Sequence, residues 1–171
     1  MSTNKKIAII GLGYVGLPLA TEFAKKYLVI GYDLDITRIE ELKAGIDRTK
    51  EIINKKLLTN NNLIFTNDLN YMKNSDFFIL TVPTPITKDN KPDLSIIRKA
   101  ALSVAKVMKK GATVVLESTV YPGVTEDYLV PILEKYGKLQ HKKDFFVAYS
   151  PERINPGETK YKLTKIKKVV G

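Results

Sequence analysis

The chain has 171 residues, 44% of them hydrophobic, which suits one domain with enough apolar content to bury a core. No apolar run approaches the ~18 residues of a membrane span, and the absence of cysteine excludes disulfides, zinc–thiolate sites and a cysteine nucleophile within these residues. The balance of 28 Lys+Arg against 18 Asp+Glu gives a formal net charge of +10, a field that attracts anionic small molecules.

The N-terminus, MSTNKKIAII, enters a β-like run at once and lacks a cleavage pattern, so no signal peptide is read and a cytoplasmic protein is expected. The first strand is KIAII (6–10), followed by GLGYVG and a helix with Leu17, Ala20, Phe23 and Ala24 on one face. YLVIGYD (27–33) is the second strand, and a helix runs from Asp35 through Ile39 and Leu42 to Gly45. After a weaker strand candidate, LIFTN (63–67), comes DFFILTV (76–82). The clearest helix spans Asp93 to Lys110, with Asp93 as N-cap, a stripe of Leu94, Ile97, Ala101, Val104, Ala105 and Met108, and Gly111 as its stop. TVVLEST (113–119) follows, then a helix after Gly123 with Glu126 and Asp127 in its first turn and Pro131 as a candidate kink. DFFVAYS (144–150) and a weaker candidate, KKVVG (167–171), close the series.

The strands are rich in β-branched and aromatic residues with little alternation, as in a parallel sheet buried on both faces. Strands alternating with helices imply right-handed βαβ units, so the expected fold is α/β: a Rossmann-like, doubly wound, mainly parallel sheet with helices on both faces, over one domain, 1–171.

Gly11, Gly13 and Gly16 follow the first strand and open a helix. In that setting the first glycine permits a tight turn, the second lets backbone N–H groups approach a pyrophosphate, and the third allows close helix–strand packing. Asp33, about 20 positions on, stands where a ribose diol acceptor belongs, and its charge favours NAD over NADP. Arg38 is open between a contact to the adenosine and a solvated surface position.

Ligands of such a sheet lie outside the carboxyl ends of the strands. There Thr84 sits between Pro83 and Pro85, in a stiff turn that presents a hydroxyl to a phosphate or ribose. Thr119 sits in a second stiff loop, STVYPG, where strand-end packing or helix capping is the alternative role. The last clear strand delivers YSPERINPGE (149–158) to the same edge, as either a surface loop or a platform of polar groups.

Taken together, IAIIGLGYVGLPLA, GYDLD, VPTP, ESTVYPG and SPERINPGE, in that order, resemble the UDP-glucose/GDP-mannose dehydrogenase family. The SPERINPGE form is most similar to the branch acting on UDP-N-acetylhexosamines, which makes uronic acids for bacterial capsules and O-antigens. The resemblance implies oxidation of a C6 alcohol to a carboxylate with two NAD, the aldehyde stage being held on a cysteine. It implies that Gly11, Gly13, Tyr14, Val15 and Gly16 cradle the NAD pyrophosphate, that Asp33 holds the ribose, and that Thr84 and Thr119 touch the cofactor. Thr119 and Glu152 match positions linked to an active-site water; Glu152, Arg153, Ile154 and Asn155 match the substrate shelf. For Glu152 an ion pair with a neighbouring Lys or Arg is the plainer role. The family's catalytic lysine and asparagine, its cysteine and its UDP-binding domain are expected downstream of Gly171. The chain is therefore expected to be an N-terminal cofactor-binding portion that binds NAD but turns over no UDP-sugar alone, in a full-length protein that is a homo-oligomer.

Two other classes compete. An NAD-sensing module would need the glycine loop and Asp33 but no second polar shelf, and another NAD-dependent sugar or hydroxy-acid dehydrogenase would have a similar first domain, with the ordered motifs counting against it. Nucleic-acid binding is disfavoured because the lysines are scattered in pairs, such as Lys25-Lys26 and Lys142-Lys143, with no recognition motif. His141 reads as a surface residue, and no metal or membrane partner is expected.

Overall fold

The structure, a computed structural model, describes residues 5–52, 56, 58–153 and 167–171. Among these residues six parallel strands form one sheet in the order β3-β2-β1-β4-β5-β6. They are β1 (Lys6–Ile10), β2 (Leu28–Tyr32), β3 (Leu63–Thr66), β4 (Phe77–Leu80), β5 (Ala112–Leu116) and β6 (Phe145–Tyr149). The chain reverses its direction of travel across the sheet between β1 and β4, which makes the carboxyl ends of those two strands the topological switch point.

Among the described residues four α-helices cover the sheet: α1 (Gly16–Phe23), α2 (Ile36–Lys43), α3 (Ser95–Ala105) and α4 (Val130–Gly137). Two apolar clusters result, one on each side. Leu17, Ala20, Ile39 and Leu42 pack with Ile7, Ile9 and Phe65 on one face. On the other, Ile97, Ala101, Val104 and Leu133 pack with Ala8, Phe78, Leu80 and Phe145. Burial on both faces explains why the central strands show no polar alternation.

Several boundaries differ from the sequence reading, for local reasons. Helix α3 begins at Ser95 with Leu94 at the cap position, because the Asp93 side chain accepts a hydrogen bond from Ser95 N–H at 2.8 Å in a turn just outside the helix. It ends at Ala105, not Lys110: Val107 N–H bonds back to the Val104 carbonyl at 3.0 Å, tightening the last turn. Gly111, with φ +82°, then turns the chain into β5. Pro131, expected as a kink, is the second residue of α4 and follows directly on a π-helical turn, Val124–Leu129, so the hydrogen-bonding pattern of the helical run after Gly123 changes next to it. KKVVG is not a strand, although Gly171 and Tyr149 exchange backbone hydrogen bonds at 2.9 and 3.0 Å.

Strand β6 also departs from the expectation of two buried faces. Among the described residues it has a hydrogen-bonded strand neighbour only in β5, and its neighbouring phenylalanines point to opposite sides: Phe145 is fully buried while Phe146 is 49% exposed. Phe145→Ala is expected to cost about 3–5 kcal/mol in urea unfolding, by loss of buried surface and a residual cavity. Phe146→Ala is expected to cost under about 1 kcal/mol, and equal costs would contradict this strand orientation.

Candidate functional site

At the carboxyl edge of the sheet a cleft of about 750 Å³ runs over the ends of β1, β2, β4 and β5. The loop after β1 forms its centre. Gly11 holds φ +95°, a conformation that side-chain-bearing residues rarely adopt, and donates its N–H to the Tyr32 carbonyl at 2.9 Å. A Cβ on Gly16 would lie 1.9 Å from the Gly11 carbonyl oxygen and 2.4 Å from Thr81 Oγ1, whereas one on Gly13 would meet nothing within 4 Å. The glycines therefore do different work: Gly16 lets α1 start against the loop, and Gly13 leaves an open approach at the helix N-terminus. Unsatisfied donors there favour an anion.

Asp33 lines the cleft at the end of β2. Its Oδ2 accepts from Leu12 N–H at 2.8 Å and its Oδ1 from Asp35 N–H at 3.0 Å, so the carboxylate is fixed before any ligand arrives. Each oxygen keeps a further lone pair for a hydroxyl donor.

Arg38 matches neither role expected of it. It is buried and outside the cleft lining, with Nε donating to the Leu12 carbonyl at 3.0 Å and a terminal nitrogen 2.8 Å from Asp47 Oδ1. The two side chains are 5% and 2% exposed. Burial by itself would raise the Asp47 carboxyl, but hydrogen bonds from Thr49, Arg38 and the Ile52 N–H outweigh it and hold the group below the ordinary aspartate range. Arg38 thus ties the loop after β1 to Asp47, an assignment no spacing rule reveals because its partner lies nine residues away in an irregular stretch.

The opposite wall comes from the loops after β4 and β5. Thr84 Oγ1 donates to the Thr119 carbonyl at 2.6 Å, joining the two stiff turns, and both residues line the cleft. Three polar groups here escaped the sequence reading. Thr81 Oγ1 reaches the Gly11 carbonyl at 2.8 Å, Ser118 Oγ donates to the Val82 carbonyl at 2.6 Å, and Glu117 lines the cleft beside its ion-pair partner Lys168. Burial lowers the Lys168 ammonium below its ordinary value. Thr81 and Glu117 carry little signal in sequence because each ends an apolar strand, where a polar residue commonly marks only the strand end.

Glu152 completes the cleft, arriving from the end of β6. Gly11, Gly13, Tyr14, Val15, Asp33, Thr84, Thr119 and Glu152 are therefore brought together, Gly16 supports them from below, and exposed Arg153 is not part of the lining. Ile154 and Asn155 lie outside the described residues. His141 is partly exposed and packs on Phe145 with ring centroids 5.5 Å apart, away from the cleft lining. Among the described residues there is no group of three or more His, Cys, Asp or Glu able to hold a metal ion, and no helix long and apolar enough to cross a membrane.

The family model described as "UDP-glucose/GDP-mannose dehydrogenase family, NAD binding domain" matches residues 5–171. The chain is 51% identical over 164 residues to the UDP-N-acetyl-D-glucosamine 6-dehydrogenase of Pseudomonas aeruginosa, covering 96% of this chain and 39% of that protein. It is 53% identical over 167 residues to Protein CapL of Staphylococcus aureus, covering 98% of this chain and again 39% of the relative. Among solved structures, that of the UDP-D-ManNAc dehydrogenase from Pyrococcus horikoshii superposes with a TM-score of 0.81 at 40% identity, over 89% of this chain and 37% of that one. The chain thus spans about two fifths of the length of the curated relatives it matches.

The glycine geometry yields a direct comparison. Gly16→Ala forces a Cβ into backbone and is expected to lower stability by about 3 kcal/mol or more in thermal or urea unfolding. Gly13→Ala, with open space, is expected to stay within about 1 kcal/mol of the parent. Similar losses for both variants would contradict the close contact at Gly16.

Proposed function

Because the chain belongs to the UDP-glucose/GDP-mannose dehydrogenase family, matching its NAD binding domain over residues 5–171, we propose that it is the cofactor-binding part of an enzyme that oxidises the C6 alcohol of a UDP-N-acetylhexosamine to the uronic acid. The conversion removes four electrons, so two NAD each accept one hydride, and water supplies the second carboxylate oxygen. The product suits the assembly of bacterial surface polysaccharide.

The observation that carries this reading is the convergence of two polar walls on one cleft. The fixed Asp33 carboxylate and the open helix end at Gly13 form the first; Thr119 and Glu152 form the second. The residues fit a dinucleotide. Loop N–H groups at the start of α1 would hold the diphosphate, and Asp33 would accept from the adenosine ribose hydroxyls. NAD, when bound, supplies the hydride acceptor. Thr84, tied to the Thr119 carbonyl, would keep the second wall rigid while the nicotinamide half is oriented.

Glu152 would orient or deprotonate the water that attacks at the acid-forming stage. Arg153, Ile154 and Asn155 would belong to the sugar shelf. A module that only senses NAD has no need of Thr119 and Glu152 facing the same cleft, which favours the enzymatic reading.

Two measurements bear on it. The chain is expected to bind NAD at least about tenfold more tightly than NADP, because Asp33 repels a 2′-phosphate. Asp33→Ala should weaken NAD and narrow that ratio, and an unchanged ratio would count against the ribose assignment. In the full-length protein, Glu152→Gln is expected to slow the acid-forming stage about a hundredfold or more. NAD affinity should stay nearly the same, as read by single-turnover kinetics and NAD titration; an undiminished rate would remove Glu152 from the reaction.

A further inference from the structure

Glu117 and Lys168 form an ion pair that the steps above leave without a task. Glu117 directly follows β5, and its N–H donates to the Leu80 carbonyl at 2.8 Å. It is 5% exposed, yet it lines the cleft. Lys168 comes from a segment more than fifty positions further along the chain, and its side chain is 20% exposed. Three residues on, the backbone exchange between Gly171 and Tyr149 fastens the same segment to the end of β6. Two attachments thus bring a cation to the one acidic group that ends β5.

A buried carboxylate is costly unless a cation and hydrogen bonds compensate it, and an apolar pair of similar size would commonly pack as well. A charged pair with its carboxylate lining the cleft therefore matters through where its charges stand relative to a ligand. The cleft's polarity is fixed by the residues already described. Asp33 takes the adenosine end over β2 and the loop after β1 takes the diphosphate, so the other nucleoside extends over β4 and β5, toward Glu117, Ser118 and Thr119. On the NAD reading above, that end holds the nicotinamide ring, which carries a positive charge when oxidised and none when reduced. A bare carboxylate beside it would favour the oxidised form and oppose hydride acceptance; a bare ammonium would do the reverse. Glu152 shares this wall and is left intact in every variant below.

We propose that the Glu117–Lys168 pair sets the charge balance of the nicotinamide subsite, so that the ratio of NAD⁺ to NADH affinity depends on both residues. Neither is a catalytic residue; each acts through the field it places on the ring. The test measures NADH by its fluorescence and NAD⁺ by calorimetry, on the unaltered chain and on variants. Lys168→Met is expected to shift the ratio about five- to tenfold toward NAD⁺, the scale of one unit charge at subsite distance in a partly screened medium. Glu117→Gln is expected to shift it in the opposite direction. The double variant Glu117→Gln/Lys168→Met should return close to the parent ratio, and Lys168→Arg should preserve it. Where Lys168→Met loses its folded circular-dichroism spectrum, Lys168→Gln, which keeps a donor toward the carboxylate, provides the same readout. A ratio unchanged in both single variants, or both forms weakened equally, would overturn the proposal and leave the pair a purely structural tie. Failure of the unaltered chain to bind either form would overturn the cofactor reading and this inference with it.

Discussion

The missing side chain at Gly16 lets the first turn of α1 sit against the Gly11 carbonyl, where a Cβ would lie only 1.9 Å away. That contact decides where the helix starts, and hence where its unsatisfied N–H groups point. Thr81 reinforces it from β4: its hydroxyl reaches the Ile10 and Gly11 carbonyls at 3.1 and 2.8 Å, and its N–H donates to Ile10 at 2.9 Å. The switch point between β1 and β4 is therefore hydrogen-bonded across its mouth, at the strand pair where a ligand must enter.

From that junction the cleft acquires two chemically distinct ends. On the β2 side a carboxylate already holds two backbone N–H groups and keeps a further lone pair on each oxygen. On the β4–β5 side, side-chain hydroxyls satisfy main-chain carbonyls, as Thr84 does for Thr119 and Ser118 for Val82. Both ends are organised by bonds within the protein, so a bound molecule meets groups already oriented, which lowers the ordering cost of binding. The asymmetry gives the cleft a direction, and a dinucleotide is a molecule with two different ends joined by an anionic middle.

Much of this could be read before any coordinates, and the parts that could not share a cause. The six clear or weaker strand runs from KIAII to DFFVAYS became strands because hydrophobic runs bounded by turn residues are local features. Asp33 and the glycines were legible for the same reason: their meaning depends on spacing within one βαβ unit. Arg38 was not, because its burial depends on Asp47, whose position is set by an irregular stretch after α2. Thr81, Glu117 and Lys168 were missed since each matters through a partner 50 or more positions away. Pattern reasoning sees neighbours in sequence; these roles exist only across the sheet edge. The exposed side of Phe146 and, among the described residues, the single strand neighbour of β6 were likewise hidden, because edge and centre are properties of strand order.

Asp47 has a consequence for how this fold can vary in length. Its carboxylate receives the Arg38 guanidinium at 2.8 Å, the Thr49 N–H and hydroxyl at 3.0 and 2.7 Å, and the Ile52 N–H at 3.0 Å. The connection from α2 toward β3 is therefore pinned as far as Ile52, and Arg38 carries that pinning to the Leu12 carbonyl. Residues inserted before Ile52 would pull on the turn that lines the cleft, although they enter a surface loop. Extra length in this crossover is tolerable only beyond that point, so a graft or tag placed a few residues too early would be felt at the far side of α2.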